Sequence, residues 1–120
     1  MEKMTKAEAI ANHRKMWNWI ADETEKRQRC VSKDEYFYTV DIANRPHQRC
    51  YCCEYSAQNG ILPFPEYDCG LCPVVWPFGG LCCTPDEDGL YDCWCRTYGL
   101  DWQLAAELAR QIAELPEREG

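Results

Sequence analysis

Residues 5–29, TKAEAIANHRKMWNWIADETEKRQR, carry the clearest periodic signal in the chain. Thr5 and Glu8 have the T-x-x-E spacing of a capping box, in which the Thr hydroxyl and the Glu carboxylate satisfy backbone N–H groups at a helix start. Behind that start, Ile10, His13, Trp17, Ile20 and Thr24 recur at helical spacing with Ala21 beside them. The pattern predicts a helix over Thr5–Arg29 with one apolar stripe. His13 falls on the stripe and reads as a core histidine in place of a ligand. Trp19, at about 100° per residue, falls on the opposite, charged side among Asn12, Lys15 and Glu23. Either another part of the chain covers Trp19, or it is a partner contact of the kind aromatic anchors make.

Downstream, Ser32 and Glu35 repeat the capping-box spacing. A short helix is expected at 33–40, with a strand as its competitor, because Tyr36, Phe37, Tyr38, Thr39 and Val40 favour strands. At the other end, LDWQLAAELARQIAELPEREG offers Asp101 as an N-cap, a stripe of Leu104, Leu108, Ile112 and Leu115 with Ala105 alongside, and Pro116 as a stop. This predicts a helix over 101–115 that packs on the first one. At 120 residues one domain is expected. Its class is small α+β, mostly α plus irregular structure: N- and C-terminal helices flank a loop-rich cysteine module at 44–99.

That module holds most of the ten cysteines. Its Pro and Gly content (PFP at 63–65, CPVVWPFGG at 72–80, TPDEDG at 84–89) predicts knuckles, turns and at most short strands. The first thirty residues lack the apolar core and small-residue cleavage site of a secretory signal, and no run of about 18 apolar residues occurs. A cytosolic setting is therefore expected, in which thiols stay reduced and serve metals or catalysis. A disulfide framework is the competing reading.

Within CYCCEYSAQNGILPFPEYDCGLCP (50–73), Cys50, Cys53, Cys69 and Cys72 read C-x2-C-x15-C-x2-C, a four-cysteine zinc spacing. Each pair can form a tight knuckle that turns two sulfurs toward one tetrahedral ion, and four thiolates close the shell, so the zinc is structural. Such an ion contributes about 10–16 kcal/mol of folding free energy in small zinc-finger peptides, a large help to a thin aliphatic core. Cys52 and His47 are possible alternative ligands. The paired knuckles also resemble those of rubredoxin, which hold iron, but the glycine that follows each rubredoxin knuckle is absent here, so zinc is preferred. Cys82, Cys83, Cys93 and Cys95 form a second cluster, CC-x9-C-x-C, that is a possible second zinc site, a set of buried thiols, or the source of a ligand for the first site. Cys30 reads as a small apolar residue at the end of the first helix.

The net charge is −7, and it is unevenly spread. No Lys or Arg lies between Arg49 and Arg96, a span holding Glu54, Glu66, Asp68, Asp86, Glu87, Asp88 and Asp92. Nucleic-acid affinity comes chiefly from cations meeting phosphates, so this stretch is unsuited to DNA or RNA. A protein partner with a basic surface suits it better, with Trp19, Trp76 and Trp94 as possible contacts; added solubility is the bland alternative.

Catalytic signatures are weak. CGLC at 69–72 has the C-G-x-C form of thioredoxin-like redox motifs without their βαβ setting. The two histidines do not supply the H-x-E of zinc deaminases, and no H-E-x-x-H, G-x-S-x-G or P-loop pattern occurs. A non-enzymatic interaction module is the reading preferred, against a metal- or thiol-dependent enzyme or redox factor using the second cluster.

Taken together, EAIANHRKMWNWIADETEKR, VSKDEYF, CYCCEYS, CGLCPVVW and the helix ending AELP resemble small cysteine-rich proteins encoded by phages and prophages. The resemblance implies that the C-x2-C-E-Y and C-x2-C-P-x-x-W elements belong to one metal-stapled module. It implies, too, an accessory protein in the host cytoplasm that binds a host protein, such as an inhibitor of a defence system.

Overall fold

A computed structural model describes residues 5–41, 51–52, 55, 73–74, 90–97 and 99–117. Among them four helices are bounded: α1, Lys6–Arg27; α2, Lys33–Thr39; α3, Leu90–Thr97; and α4, Trp102–Ala113. Tyr51, Cys52 and Tyr55 are also helical. The extended structure among the described residues is one isolated antiparallel bridge, Val74 with Glu117. None of these helices is long and apolar enough to cross a membrane.

Local chemistry accounts for each helix start. The Thr5 hydroxyl accepts from the Glu8 N–H at 3.1 Å, and the Glu8 carboxylate accepts from the Thr5 N–H at 3.1 Å. Ser32 and Glu35 make the same reciprocal pair, at 3.1 and 2.9 Å, so the helical reading of 33–40 prevails over the strand. Arg29 grips the Glu35 carboxylate at 2.9 and 3.3 Å, and this hydrogen bond, more than any other cause, holds that carboxyl below its usual range. Asp101 caps α4 by accepting from the Leu104 N–H at 3.1 Å. The first helix ends at Arg27, two residues before the expected end. Gln28 turns into the left-handed region at φ 55°, which places the C-cap there.

The principal packing is α4 on α1, as the two apolar stripes predict. On α1 the buried residues are Ala9, Ile10, His13, Met16, Trp17, Ile20, Ala21 and Thr24. The buried face of α4 differs from the expected leucine stripe: Ala105, Ala106, Leu108, Ala109, Ile112 and Ala113 are inside, whereas Leu104 is 40% exposed. Counting 100° per residue from Leu104, the buried arc is centred near Ala105, Ala109 and Ile112, and Leu104 stands at its edge. Small alanines let the α4 backbone approach the bulky Met16, Trp17 and Ile20 side of α1 closely, which a row of leucines would prevent.

Two polar contacts tie the end of α4 to α1. The fully buried His13 donates from Nε2 to the Ile112 carbonyl at 2.8 Å, which fixes the proton on that nitrogen and satisfies an acceptor of the last helical turn. Arg14 donates to the Leu115 carbonyl at 3.4 Å. On the surface Arg110 spans to Asp22 and Glu25 of α1 at 2.7 and 3.0 Å.

The sequence reading of 44–99 as knuckles and turns fails at its end, since 90–97 is α-helical. Leu90, Tyr91 and Trp94 sit at i, i+1 and i+4, one apolar face of a single helical turn. Trp94 is 5% exposed and meets Trp17 edge-on at 4.9 Å and 88°. Tyr91 stacks on Trp94 at 5.8 Å, and Lys33 of α2 lies over the Tyr91 ring at 4.6 Å. A second aromatic group joins α1, α2 and Tyr51: Trp19 meets Tyr36 at 5.5 Å, and Tyr36 and Phe37 meet Tyr51 at 6.5 and 5.8 Å.

The alanine arc has a direct test. Ala109→Leu forces extra methylenes into the seam and should lower stability by about 1–3 kcal/mol. Leu104→Ala, on the exposed edge, should change it by about 0.5 kcal/mol or less. Urea unfolding followed by circular dichroism reads both.

Candidate metal centre and the residues around it

The proposed zinc ligands Cys50, Cys53, Cys69 and Cys72 lie outside the described residues, as do His47, Trp76, Cys82 and Cys83. The structure bears on the site through the residues that flank these cysteines. Tyr51 and Cys52, which stand between Cys50 and Cys53, are 0% and 1% exposed. Pro73, the residue after Cys72, is buried, and Val74 after it is 0% exposed. Tyr51, Cys52 and Val74 all belong to the single hydrophobic core built on α1 and α4.

Cys52 is part of that core, where a thiol packs as a small hydrophobe. Tyr51 is held more specifically. Its ring packs edge-on against Tyr36 and Phe37, and its hydroxyl donates to the Asp41 carboxylate at 2.5 Å. Burial, then the Asp41 carboxylate and the neighbouring Tyr36, push the Tyr51 phenol far above its usual range. On the other side, Val74 bridges to Glu117, whose carboxylate also meets Lys6 at 3.8 Å.

Of the second cluster, Cys93 and Cys95 are among the described residues. Cys93 and Cys95 are half-buried free thiols on α3. Residues two apart on a helix point about 200° apart around its axis and do not face each other. Cys93 Sγ accepts from Arg96 at 3.9 Å, and Cys95 lies beside the Tyr91 hydroxyl. Among the described residues, no three His, Cys, Asp or Glu side chains are grouped to hold a metal.

Cys30 does more than end a helix. Its sulfur accepts from the Gly99 N–H at 3.1 Å, and its S–H points to the Thr97 carbonyl at 3.7 Å. It clips the start of α2 to the α3–α4 turn. Gly99 has φ 81°, with nothing within 4 Å of where a Cβ would stand, so backbone conformation and not space favours glycine there. Beside this clip is a half-open recess of about 220 Å³, lined by Gln28, Arg29, Cys30, Gly99, Leu100 and Trp102. Leu100 on its rim is 85% exposed.

The aromatic contact residues also sort themselves. Trp94, expected at a partner surface, is in the core because the unforeseen α3 turns it onto Trp17. Trp19 is half-buried and covered by Tyr36 of α2, the first of its two readings. Tyr38 and Leu100, at 61% and 85%, are the large apolar side chains left most exposed among the described residues. Neither was singled out as a contact in the sequence, because exposure depends on which distant parts of the chain pack nearby. Likewise the Tyr51–Asp41 bond spans ten residues and has no spacing signature.

No protein-family model, curated protein or solved structure matches this chain.

The Tyr51 phenol supplies a pH test. The fold favours its protonated form, so its stabilising contribution is complete below the ordinary phenol value of 10.0 and falls as the pH rises above it. The urea midpoint of the wild type should drop above that pH. Tyr51→Phe should flatten the drop while costing on the order of 1.5–3 kcal/mol at neutral pH, the worth of a hydrogen bond to a charged group.

Proposed function

We propose that this chain is a non-enzymatic interaction module, stapled by one structural zinc on Cys50, Cys53, Cys69 and Cys72, that binds a protein partner with a basic surface. The observation that carries the reading is the C-x2-C-x15-C-x2-C spacing within a stretch, 50–95, that has no Lys or Arg. The donor set suits zinc: four thiolates satisfy a closed tetrahedral shell and leave two net negative charges on the site. The burial of Tyr51, Cys52, Pro73 and Val74, which stand within two residues of Cys50, Cys53 or Cys72 in the sequence, supports a structural role. The ion supplies folding free energy and no reactive position, so function falls to the surface that it holds in shape.

An acidic surface attracts a basic partner, speeds encounter and repels nucleic acid. Exposed Tyr38 and Leu100 offer apolar anchor points on the helical side. The likeness to phage-encoded cysteine-rich proteins extends the reading to a host protein, such as a component of a defence system, met in the host cytoplasm.

Native mass spectrometry of the intact chain tests the zinc. One bound zinc should be seen, lost on adding a chelator and absent from Cys50→Ser/Cys53→Ser, but retained by Cys93→Ser/Cys95→Ser. A metal-free chain whose mass is short by paired hydrogens would show disulfides and overturn the reading. Partner capture from host lysate should fade steeply as salt is raised, the mark of opposite charges meeting at exposed surfaces.

A further inference from the structure

The buried residues of α4 face α1 and α3, and the opposite side of the helix stands in solvent. Counting 100° per residue, Leu104, Glu107, Gln111 and Glu114 fall within an arc of about 80°, across the helix from Ala105 and Ala109. All four are exposed. Leu100, just ahead of the Asp101 cap, extends this ridge at its N-terminal end and is 85% exposed. It also rims the half-open recess of about 220 Å³ between the end of α1 and the α3–α4 turn, which Cys30 and Trp102 line with it. One end of the ridge is thus apolar, with a hollow beside it that can receive a side chain.

The other end is acidic. Glu107 and Glu114 stand about 10 Å apart along the helix axis, and neither carboxylate is in an ion pair among the described residues. Arg110, the cation of α4, lies to one side, where Asp22 and Glu25 of α1 take it up at 2.7 and 3.0 Å. The ridge therefore presents carboxylates with no cation of its own. Exposed leucines gain from being covered, and unpaired carboxylates gain from meeting cations, so the pattern specifies the chemistry of what covers this face.

We propose that the outer ridge of α4, formed by Leu100, Leu104, Glu107, Gln111 and Glu114, docks a basic segment of a protein partner. An aliphatic or aromatic side chain enters the recess beside Leu100, and two Lys or Arg side chains about 10 Å apart meet Glu107 and Glu114, the spacing of positions i and i+7 on a helix. The proposal rests on the basic-partner reading above and gives that partner a place on the helical side of the molecule. The apolar anchor supplies most of the affinity, and the charges supply encounter rate and orientation.

The test is selection of a random peptide library on the full chain at about 0.15 M salt, with counter-selection on the Leu100→Ser/Glu107→Gln/Glu114→Gln variant. Peptides of about twelve residues are long enough for an apolar anchor and cations at i and i+7. Retained clones should carry that pattern and should shift the amide resonances of Leu100, Leu104, Glu107 and Glu114. Synthetic copies should bind Glu107→Gln/Glu114→Gln about 3- to 10-fold more weakly, as two exposed ion pairs allow, and Leu100→Ser on the order of tenfold more weakly. Because these positions are exposed, the variants should keep the wild-type circular dichroism and urea midpoint. Basic clones that bind the wild type and the variant alike would overturn this site while leaving the basic-partner reading in place, and so would a selection that retains no clone. Clones with no excess of Lys and Arg would overturn both. A dimer in sedimentation that Leu100→Ser dissolves would show the ridge to be an interface between copies of this chain, and would overturn the proposal as well.

Discussion

The seam between α1 and α4 is the constraint on which the other contacts depend. It is closed by small residues on one side and large ones on the other, and locked at its end by the buried His13 Nε2–H on the Ile112 carbonyl. A buried carbonyl without a partner costs about 1–3 kcal/mol, so this bond fixes the axial register of the two helices as well as their proximity. With the register set, Trp17 faces α3 and Trp19 faces α2 from opposite sides of one helical turn. The two aromatic groups then collect everything else around α1.

This arrangement explains how so short an aliphatic inventory makes a core. Aromatic side chains bury large areas, and edge-on pairs add about 0.5–1.5 kcal/mol beyond that burial. Trp17, Trp94, Tyr36, Phe37 and Tyr51 occupy the volume that leucines and isoleucines fill in other helical domains. The rings come from α1, α2, α3 and Tyr51, so they join parts of the chain that are distant in sequence. Tyr51, Cys52 and Val74, from the cysteine-rich middle, join this same core.

Several readings carried through to the structure because they rest on local chemistry. Two capping boxes and the Asp101 cap mark their helices by spacing alone, and the stripe of α1 names its buried face, His13 included. The stripe of α4 misleads at Leu104. A periodic pattern shows which residues share a face, but the width of the contact depends on how close the partner comes, and the alanines bring it close. In 90–97, cysteine, acidic and glycine neighbours suggest turns, whereas Leu90, Tyr91 and Trp94 pay for a helix by burial against Trp17. The four expected zinc ligands lie outside the described residues; the structure adds what stands beside them.

By itself the sequence determined the helix starts, the apolar face of α1, the pairing of the first and last helices and the two cysteine pairs with their allowed separation, since all of these follow from covalent spacing and hydrogen bonds over a few residues. Only the tertiary structure decided which aromatics are core and which are surface. It also turned Cys52 inward, separated Cys93 from Cys95, and joined Tyr51 to Asp41 and Val74 to Glu117. Those outcomes depend on which distant side chain arrives to cover a face, and burial of that kind is a property of the packed whole.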